Sequence, residues 1–195
     1  WVGFGFTSRP LSGSWTEVNP YSTRGQIEVL IDLMDHLEIK KAILVGNSAG
    51  ALIASETAIT HPDRVSGLVL VDPALDGAQF PSIIKWIINT PQMDGIGPLL
   101  SRQITVRGDE FIRLAWHDPA LITEETFSAY RKPLEIIGWD YGLWEVTRAE
   151  KTNVSSKIDL FDQPVLVAAG DLRLDPRGIG NQGRPAPGRR GGAHA

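Results

Sequence analysis

The chain has 195 residues, of which 42% are hydrophobic and 22% charged, and its formal net charge at pH 7 is -4. This length suits one domain with an inserted segment, and the acidic balance gives no reason to expect a nucleic acid partner. The absence of cysteine excludes disulfides, thiolate zinc sites and a thiol nucleophile.

No segment predicts membrane anchoring or export. The apolar runs at 67–71 and 82–88 are shorter than the roughly 20 residues that a spanning helix needs, and the second contains Lys85. Residues 1–10 lack the cationic start and apolar block of a signal peptide. We therefore expect a cytoplasmic protein without a membrane partner. Because the chain starts without methionine in loop-like sequence, we also expect that further sequence precedes it.

Residues 1–75 predict a loop followed by helix, strand, helix and strand. Thr23 with Gln26 three residues later has the capping-box pattern, and apolar residues at helical spacing predict a helix over 24–38. Residues 41–45 and 65–71 predict strands, and 49–60 predict a helix of small residues that ends before Pro62. Strands that alternate with helices at this spacing predict a parallel, doubly wound sheet and an α/β fold.

The sequence Gly46-Asn47-Ser48-Ala49-Gly50 lies between the first predicted strand and the helix after it. Gly-x-Ser-x-Gly at a strand-to-helix turn is typical of a nucleophile elbow, in which the serine hydroxyl stands clear of the sheet and a helix N-terminus lies behind it. We expect Gly46 and Gly50 to allow the tight turn. Ser48 is therefore the predicted nucleophile, and the alternative is a buried turn serine.

Residues 76–157 contain no convincing strand and predict a helical lid inserted into the sheet. Helices are predicted over 82–89, after Asp118-Pro119, and from Thr123, which precedes two glutamates. The segment also contains four tryptophans. These tryptophans could simply be core residues. If some face Ser48, we expect an apolar acyl or aryl pocket, and the predicted substrate-binding residues are Trp116, Trp139 and Trp144.

The core resumes over 158–175 with a strand within 164–170. Residues 176–195 are rich in glycine and arginine and almost free of apolar residues, so we predict a disordered tail. The pattern Gly-x-Gly-x-x-Gly at 178–183 has no preceding strand, and prolines follow it, so no dinucleotide cofactor is expected. No metal is expected, because the four histidines are scattered along the chain.

Together the elbow, the Gly-Phe-Gly-Phe-Thr-Ser turn at 3–8, the His-Pro-Asp-Arg-Val segment at 61–65 and the strand ending in Asp72 resemble the α/β-hydrolase fold family. The chain looks most like lid-bearing serine esterases and carbon-carbon bond hydrolases, over roughly residues 1–171. The resemblance implies that the strands are family strands 5, 6 and 7, with the lid between 6 and 7. Members with an aspartate nucleophile, such as haloalkane dehalogenases, have Asp where this chain has Ser48, so dehalogenation is disfavoured.

The resemblance also implies an oxyanion hole and a catalytic acid. The Ala49 amide would be one oxyanion donor, and the second comes from a loop after family strand 3, which this sequence does not contain. Asp171 lies directly after the last strand and is the predicted acid. Asp72 and Asp175 are the alternatives. Family members usually place the acid where this chain has Arg173.

The predicted base is His194, because it completes the chain order Ser, Asp, His. It lies in Gly-Ala-His-Ala rather than in the family's usual Gly-His ending. The other three histidines are predicted to be structural or solvated: His36, His61 and His117.

We therefore predict a serine hydrolase that forms an acyl-enzyme on Ser48 and acts on small apolar esters or related carbonyl compounds, without a cofactor. The alternative is a catalytically incompetent hydrolase fragment that serves at most as a binding or interaction module. The absent oxyanion donor and the missing Gly-His ending motivate this alternative. In that case, the exposed edge of family strand 5 would favour self-association.

Overall fold

A computed structural model describes residues 1–77 and 80–170, with the backbone alone at 104–106. Within this part of the chain, seven α-helices and three β-strands are formed. In chain order they are α1 (Thr23–His36), β1 (Ala42–Asn47), α2 (Ala49–Thr60), β2 (Val65–Val71), α3 (Ser82–Ile88), α4 (Pro91–Ser101), α5 (Gln103–Ala115), α6 (Glu124–Arg131), α7 (Trp139–Arg148) and β3 (Val165–Ala168). The predicted tail at 176–195 lies outside the described residues.

The three strands form one parallel sheet in the order β1-β2-β3. The register places Val45 beside Val69, and Val69 beside Leu166. The predicted parallel sheet of a partial α/β fold is thus confirmed. The second helix and the second strand have the predicted bounds, because a run of small residues and the following Pro62 mark them clearly in the sequence.

Only one face of the sheet is covered within the described chain. On the covered face, the alanines of α2 approach the strands closely, and the resulting core consists of Ala51, Ala54, Ala58, Val65, Leu68 and Leu70. Ile43 and Val45 belong to the opposite face and are 63% and 71% exposed. Leu166, which is in register with Val45 through Val69, is 62% exposed. The sheet therefore presents an apolar face to solvent.

Helix α1 begins one residue earlier than predicted. Ser22 is its N-cap, and the Ser22 hydroxyl accepts a hydrogen bond from the Gly25 amide at 3.1 Å. The predicted capping box of Thr23 and Gln26 is wrong, because the buried Gln26 side chain bonds another part of the chain. Its Oε1 accepts from the Val2 amide at 2.9 Å, and its Nε2 donates to the Val2 carbonyl at 3.2 Å. Gln26 thus fixes the N-terminal loop to α1.

The segment between β2 and β3 is helical, as predicted, but contains more helices than the sequence indicated. Helices were expected near 82–89 and after Thr123, where α3 and α6 lie, and Thr123 caps α6 by accepting from the Thr126 amide at 3.2 Å. The piece after Asp118 is a single 3-10 turn. Helices α4, α5 and α7 were not predicted. Gly95, Gly97 and Pro98 within α4 are poor helix formers, which hides this helix from a sequence pattern.

The two ends of this helical segment meet beside the sheet. The Gly77 amide donates to the Thr152 carbonyl at 3.1 Å, and the Val154 amide donates to the Leu75 carbonyl at 3.0 Å. Asp76 and Asn153 form an isolated antiparallel bridge. A chain that leaves and re-enters the sheet at one point has the geometry of an insertion. The role of 76–157 as a lid remains a prediction.

Helices α4 and α7 are in direct contact. A Cβ at Gly97 would overlap the indole of Trp144, which is 6% exposed. The Arg102 guanidinium bonds Asp140 at 2.7 Å, and the Arg148 guanidinium bonds Asp94 at 2.6 Å. At its C-terminal end, α7 reaches a second core beside the N-terminal loop, formed by Val2, Tyr21, Val146 and Ala149.

Candidate active site

Ser48 forms the turn between β1, which ends at Asn47, and α2, which begins at Ala49. Its backbone has φ 50° and ψ -118°. A positive φ is costly for a residue with a Cβ, by about 1–3 kcal/mol. The Ser48 side chain is exposed and does not cap the helix. This strained turn with an exposed hydroxyl is the geometry expected of a nucleophile elbow.

The two glycines of the motif differ in what surrounds them. A Cβ at Gly46 would lie 2.5 Å from the Gly50 carbonyl oxygen and 2.6 Å from the Ala51 Cα, so only glycine fits there. A Cβ at Gly50 would meet no described atom within 4 Å. The prediction that both glycines are needed for the turn is therefore right for Gly46 and wrong for Gly50.

Backbone hydrogen bonds join the elbow to the end of β2. The Ser48 amide donates to the Val71 carbonyl at 3.0 Å. The Ser48 carbonyl accepts from the Ala51 amide at 3.0 Å and from the Ala74 amide at 3.2 Å. The strained residue is thus held at its amide by the last residue of β2 and at its carbonyl by Ala74, which follows that strand.

The Ala49 amide is at the start of α2. The first amides of a helix have no acceptor within the helix, and the helix dipole places partial positive charge there. An oxygen that develops negative charge beside Ser48 would find a donor at this position. The role of the Ala49 amide as an oxyanion donor remains a prediction.

Among the candidate acids, the structure describes Asp72 alone. It follows β2 directly, its backbone φ is 41°, and its carboxylate Oδ1 accepts from the Gly170 amide at 2.7 Å. The Asp72 amide donates to the Ala168 carbonyl at 2.8 Å. Asp171 and Asp175 lie outside the described residues.

No described histidine is hydrogen-bonded to Ser48. His36 ends α1, and His61 follows the far end of α2, about 18 Å along the helix from Ser48. The His61 ring nitrogen Nδ1 is 2.9 Å from the Thr60 hydroxyl oxygen. His117 is exposed between α5 and the following turn. The predicted base His194 lies outside the described residues.

The three predicted pocket tryptophans occupy different environments. Trp144 is buried against Gly97, and its indole nitrogen has no acceptor among the described residues. Trp116 and Trp139 are half-buried. Trp144 also lines a groove of about 600 Å³ between α4, α5 and α7, and the residues that line this groove lie between 100 and 147. Ser48 is not among them, so the shared pocket remains a prediction.

Two further observations concern residues 1–77 and 80–170 only. Their helices include none long and apolar enough to cross a bilayer. Their His, Asp and Glu side chains form no group of three that could hold a metal ion.

Comparison with known proteins gives matches in sequence and in structure. A family model described as "alpha/beta hydrolase fold" matches residues 1–98. A 2-hydroxymuconate semialdehyde hydrolase of Pseudomonas sp. (strain CF600) is 40% identical over 80 residues, which are 41% of this chain and 25% of that protein. Lipase LipV of Mycobacterium tuberculosis is 29% identical over 129 residues, which are 64% of this chain and 46% of that protein. The chain thus spans less than half of either relative.

Among solved structures, the epoxide hydrolase CorEH without ligand has a TM-score of 0.61 at 21% identity, covering 87% of this chain and 63% of that one. A hydrolase from Pseudomonas aeruginosa PA01 has a TM-score of 0.60 at 22% identity, covering 87% and 58%. At this identity the likeness concerns the fold. The parallel sheet, the strained serine between β1 and α2, and the family match over 1–98 agree with one another, and the chain belongs to the α/β-hydrolase fold family.

Proposed function

We propose that this chain is a serine hydrolase acting through an acyl-enzyme on Ser48. The observation that supports it is the exposed hydroxyl of Ser48, which does not cap α2 although Ser48 lies on the strained turn between β1 and α2. A residue retained at positive φ at such a turn points to a functional requirement. The substrate class is small apolar esters or related carbonyl compounds, and no cofactor takes part.

In the proposed reaction, the Ser48 hydroxyl oxygen attacks the substrate carbonyl while a base accepts its proton. The carbonyl oxygen becomes an oxyanion, and the Ala49 amide donates a hydrogen bond to it. Collapse of this intermediate transfers the proton to the leaving alcohol or carbon and leaves the acyl group on Ser48. Water then attacks the acyl carbonyl, which releases the acid and restores the hydroxyl.

The proposed base is His194 and the proposed acid is Asp171. Asp171 follows Gly170 in the chain, and the Gly170 amide is bonded to Asp72 at the end of β2, next to the elbow. In open α/β sheets, the carboxyl ends of the strands are where site residues gather. His194 is proposed as the base on chain order alone. We also propose that the protein is cytoplasmic.

The substrate proposal rests on the tryptophans and on the named relatives. Trp116, Trp139 and Trp144 would supply apolar and aromatic surface for an acyl or aryl group. The relatives include a 2-hydroxymuconate semialdehyde hydrolase and a lipase, and both names denote hydrolases. We propose a small apolar ester or related carbonyl compound as the substrate.

A fluorophosphonate probe tests the nucleophile, because it forms a covalent bond with an activated serine. We expect the protein to be labelled, and Ser48→Ala to lose the label. Ser14→Ala is the matched control, since Ser14 is also an exposed serine but lies in the N-terminal loop, and it should be labelled like the parent protein. Soluble, folded protein that takes no label would contradict the proposal.

The second candidate is an incompetent hydrolase fragment that acts as an interaction module. The exposed apolar face at Ile43, Val45 and Leu166, on a sheet whose strand β1 has a free edge in the described chain, favours it. Exposed edges and apolar patches promote pairing with other chains. We expect concentration-dependent self-association that Val45→Lys weakens and Val29→Lys on α1 does not. A monomer at every concentration in light scattering would contradict this candidate.

A further inference from the structure

We propose that Asp72 is a positioning residue for the elbow, whose carboxylate fixes the end of β2 and thereby keeps Ser48 in its turn. This inference rests on the proposed role of Ser48. It assigns to Asp72 a role that differs from that of a triad acid, because Asp72 acts on Ser48 through the backbone and not through a histidine.

The position of Asp72 in the chain links it to the backbone of the elbow. Two residues, one on either side of it, are hydrogen-bonded to Ser48. The Val71 carbonyl accepts from the Ser48 amide, and the Ala74 amide donates to the Ser48 carbonyl. Asp72 lies between these two residues. A change in its backbone angles therefore moves the Val71 carbonyl and the Ala74 amide relative to one another.

The backbone of Asp72 has an unusual conformation for a residue with a side chain. Its φ of 41° is in the left-handed region, where residues with a side chain are strained by about 1–3 kcal/mol. Aspartate is among the few non-glycine residues that visit this region, because its short polar side chain can form local hydrogen bonds. A strained residue persists only where its surroundings hold it.

Two hydrogen bonds to the chain around β3 hold Asp72. The carboxylate Oδ1 accepts from the Gly170 amide at 2.7 Å, and the Asp72 amide donates to the Ala168 carbonyl at 2.8 Å. A bond from an amide to an ionised carboxylate is about twice as strong as one between neutral groups. Asp72 thus joins the elbow to the strand two positions away in the sheet, across 98 residues of sequence.

Three substitutions separate this role from that of an acid. Asp72→Asn keeps an oxygen acceptor for the Gly170 amide but removes the charge that a triad acid needs. Asp72→Ala removes the acceptor and retains a Cβ at positive φ. Asp72→Gly removes the acceptor and relieves the strain, so it remains informative if the alanine variant does not fold. Asp76→Ala is the matched control, because the Asp76 carboxylate also accepts from a backbone amide, that of Ser155 at 3.2 Å, but is not bonded to the elbow.

Two measurements are made on each variant of the whole chain. The first is the rate of fluorophosphonate labelling of Ser48 against pH. We expect Asp72→Asn to label within about threefold of the parent protein with the same pH profile, and Asp72→Ala and Asp72→Gly to label about tenfold more slowly. The second is amide hydrogen exchange at Ser48 and Ala74, which should accelerate about tenfold in the alanine and glycine variants only. Asp76→Ala should leave both quantities unchanged.

Loss of labelling in Asp72→Asn with unchanged exchange would overturn the inference and make Asp72 the acid. Unchanged exchange at Ser48 and Ala74 in both Asp72→Ala and Asp72→Gly would also overturn it. If the parent protein takes no label, the proposed function fails, and the exchange measurement still decides whether Asp72 holds the elbow.

Discussion

The sheet unit, formed by β1, α2, β2 and β3, and the helical region from α3 to α7 are stabilised in different ways. In the sheet unit, small side chains allow close approach, and Ala51, Ala58 and Val65 are fully buried. In the helical region, α4 and α7 meet where Gly97 approaches the Trp144 indole, and ion pairs made by Arg102 and Arg148 join the two helices. The candidate nucleophile belongs to the first region. We therefore expect a substitution in the sheet unit to disturb the elbow at Ser48. A substitution in the helical region should disturb only the helices around it.

The largest effect is expected from Gly46→Ala. The added Cβ would contact the first turn of α2, where backbone atoms cannot yield, so we expect a loss of about 3 kcal/mol in the free energy of unfolding. Gly50→Ala is the matched control. It adds the same methyl group in open space on the helix and should stabilise the protein by about 0.5–1 kcal/mol.

Urea unfolding followed by circular dichroism measures both variants. Equal destabilisation by Gly46→Ala and Gly50→Ala would contradict the view that the close approach of β1 and α2 at Gly46 holds the elbow.

The next effect tests whether the helical region is independent. Gly97→Ala places a methyl group into the Trp144 indole, so we expect a loss of about 2 kcal/mol and faster amide exchange in α4 and α7. Gly95→Ala, on the same helix, adds its Cβ in open space and should have no such effect. Exchange at the Ser48 amide should not change in either variant. Faster exchange at Ser48 in Gly97→Ala would break the distinction between the two regions.

Much of the sheet unit could be predicted because its signals are local. Small residues over 49–60, with Pro62 behind them, mark α2, and the motif around Ser48 marks the elbow. The helical region was less predictable because its helices depend on one another. Gly97 weakens α4 in isolation, yet it allows the contact with Trp144 that stabilises the packed pair.

The candidate site shows the same difference between local signals, which can be predicted, and contacts between distant residues, which cannot. Ser48 and the start of α2 could be identified from five consecutive residues. The bond between Asp72 and the Gly170 amide joins residues far apart in sequence, and no local pattern indicates it. Gln26 illustrates the same limit in α1, since its side chain bonds the N-terminal loop rather than the helix end that the capping-box pattern implied.

The smallest expected effect concerns Lys151, which joins the end of α7 in the helical region to the N-terminal loop before α1. The Lys151 ammonium donates to the Val146 carbonyl at 2.6 Å and the Ala149 carbonyl at 3.2 Å, at the end of α7. It also donates to the Tyr21 carbonyl at 3.5 Å, just before α1. Burial lowers the pKa of Lys151 from 10.5 to about 8. Burial has the opposite effect on Tyr21 and raises the pKa of its hydroxyl, with Tyr141 and Glu145 adding to the shift.

The sign of the pH dependence follows from these shifts. Between about pH 8 and 10, the unfolded chain retains the Lys151 proton while the folded chain has lost it, so stability should rise with pH. Above pH 10 the Tyr21 hydroxyl ionises first in the unfolded chain, and stability should fall. Because Lys151 is partly exposed, we expect a gain below about 1 kcal/mol across this window.

Urea unfolding at pH 8, 9 and 10 should show this rise in stability in the parent protein and in Lys132→Met, an exposed control. Lys151→Met should abolish it, and a rise that persists in this variant would mean that the charge between α7 and the N-terminal loop does not influence stability.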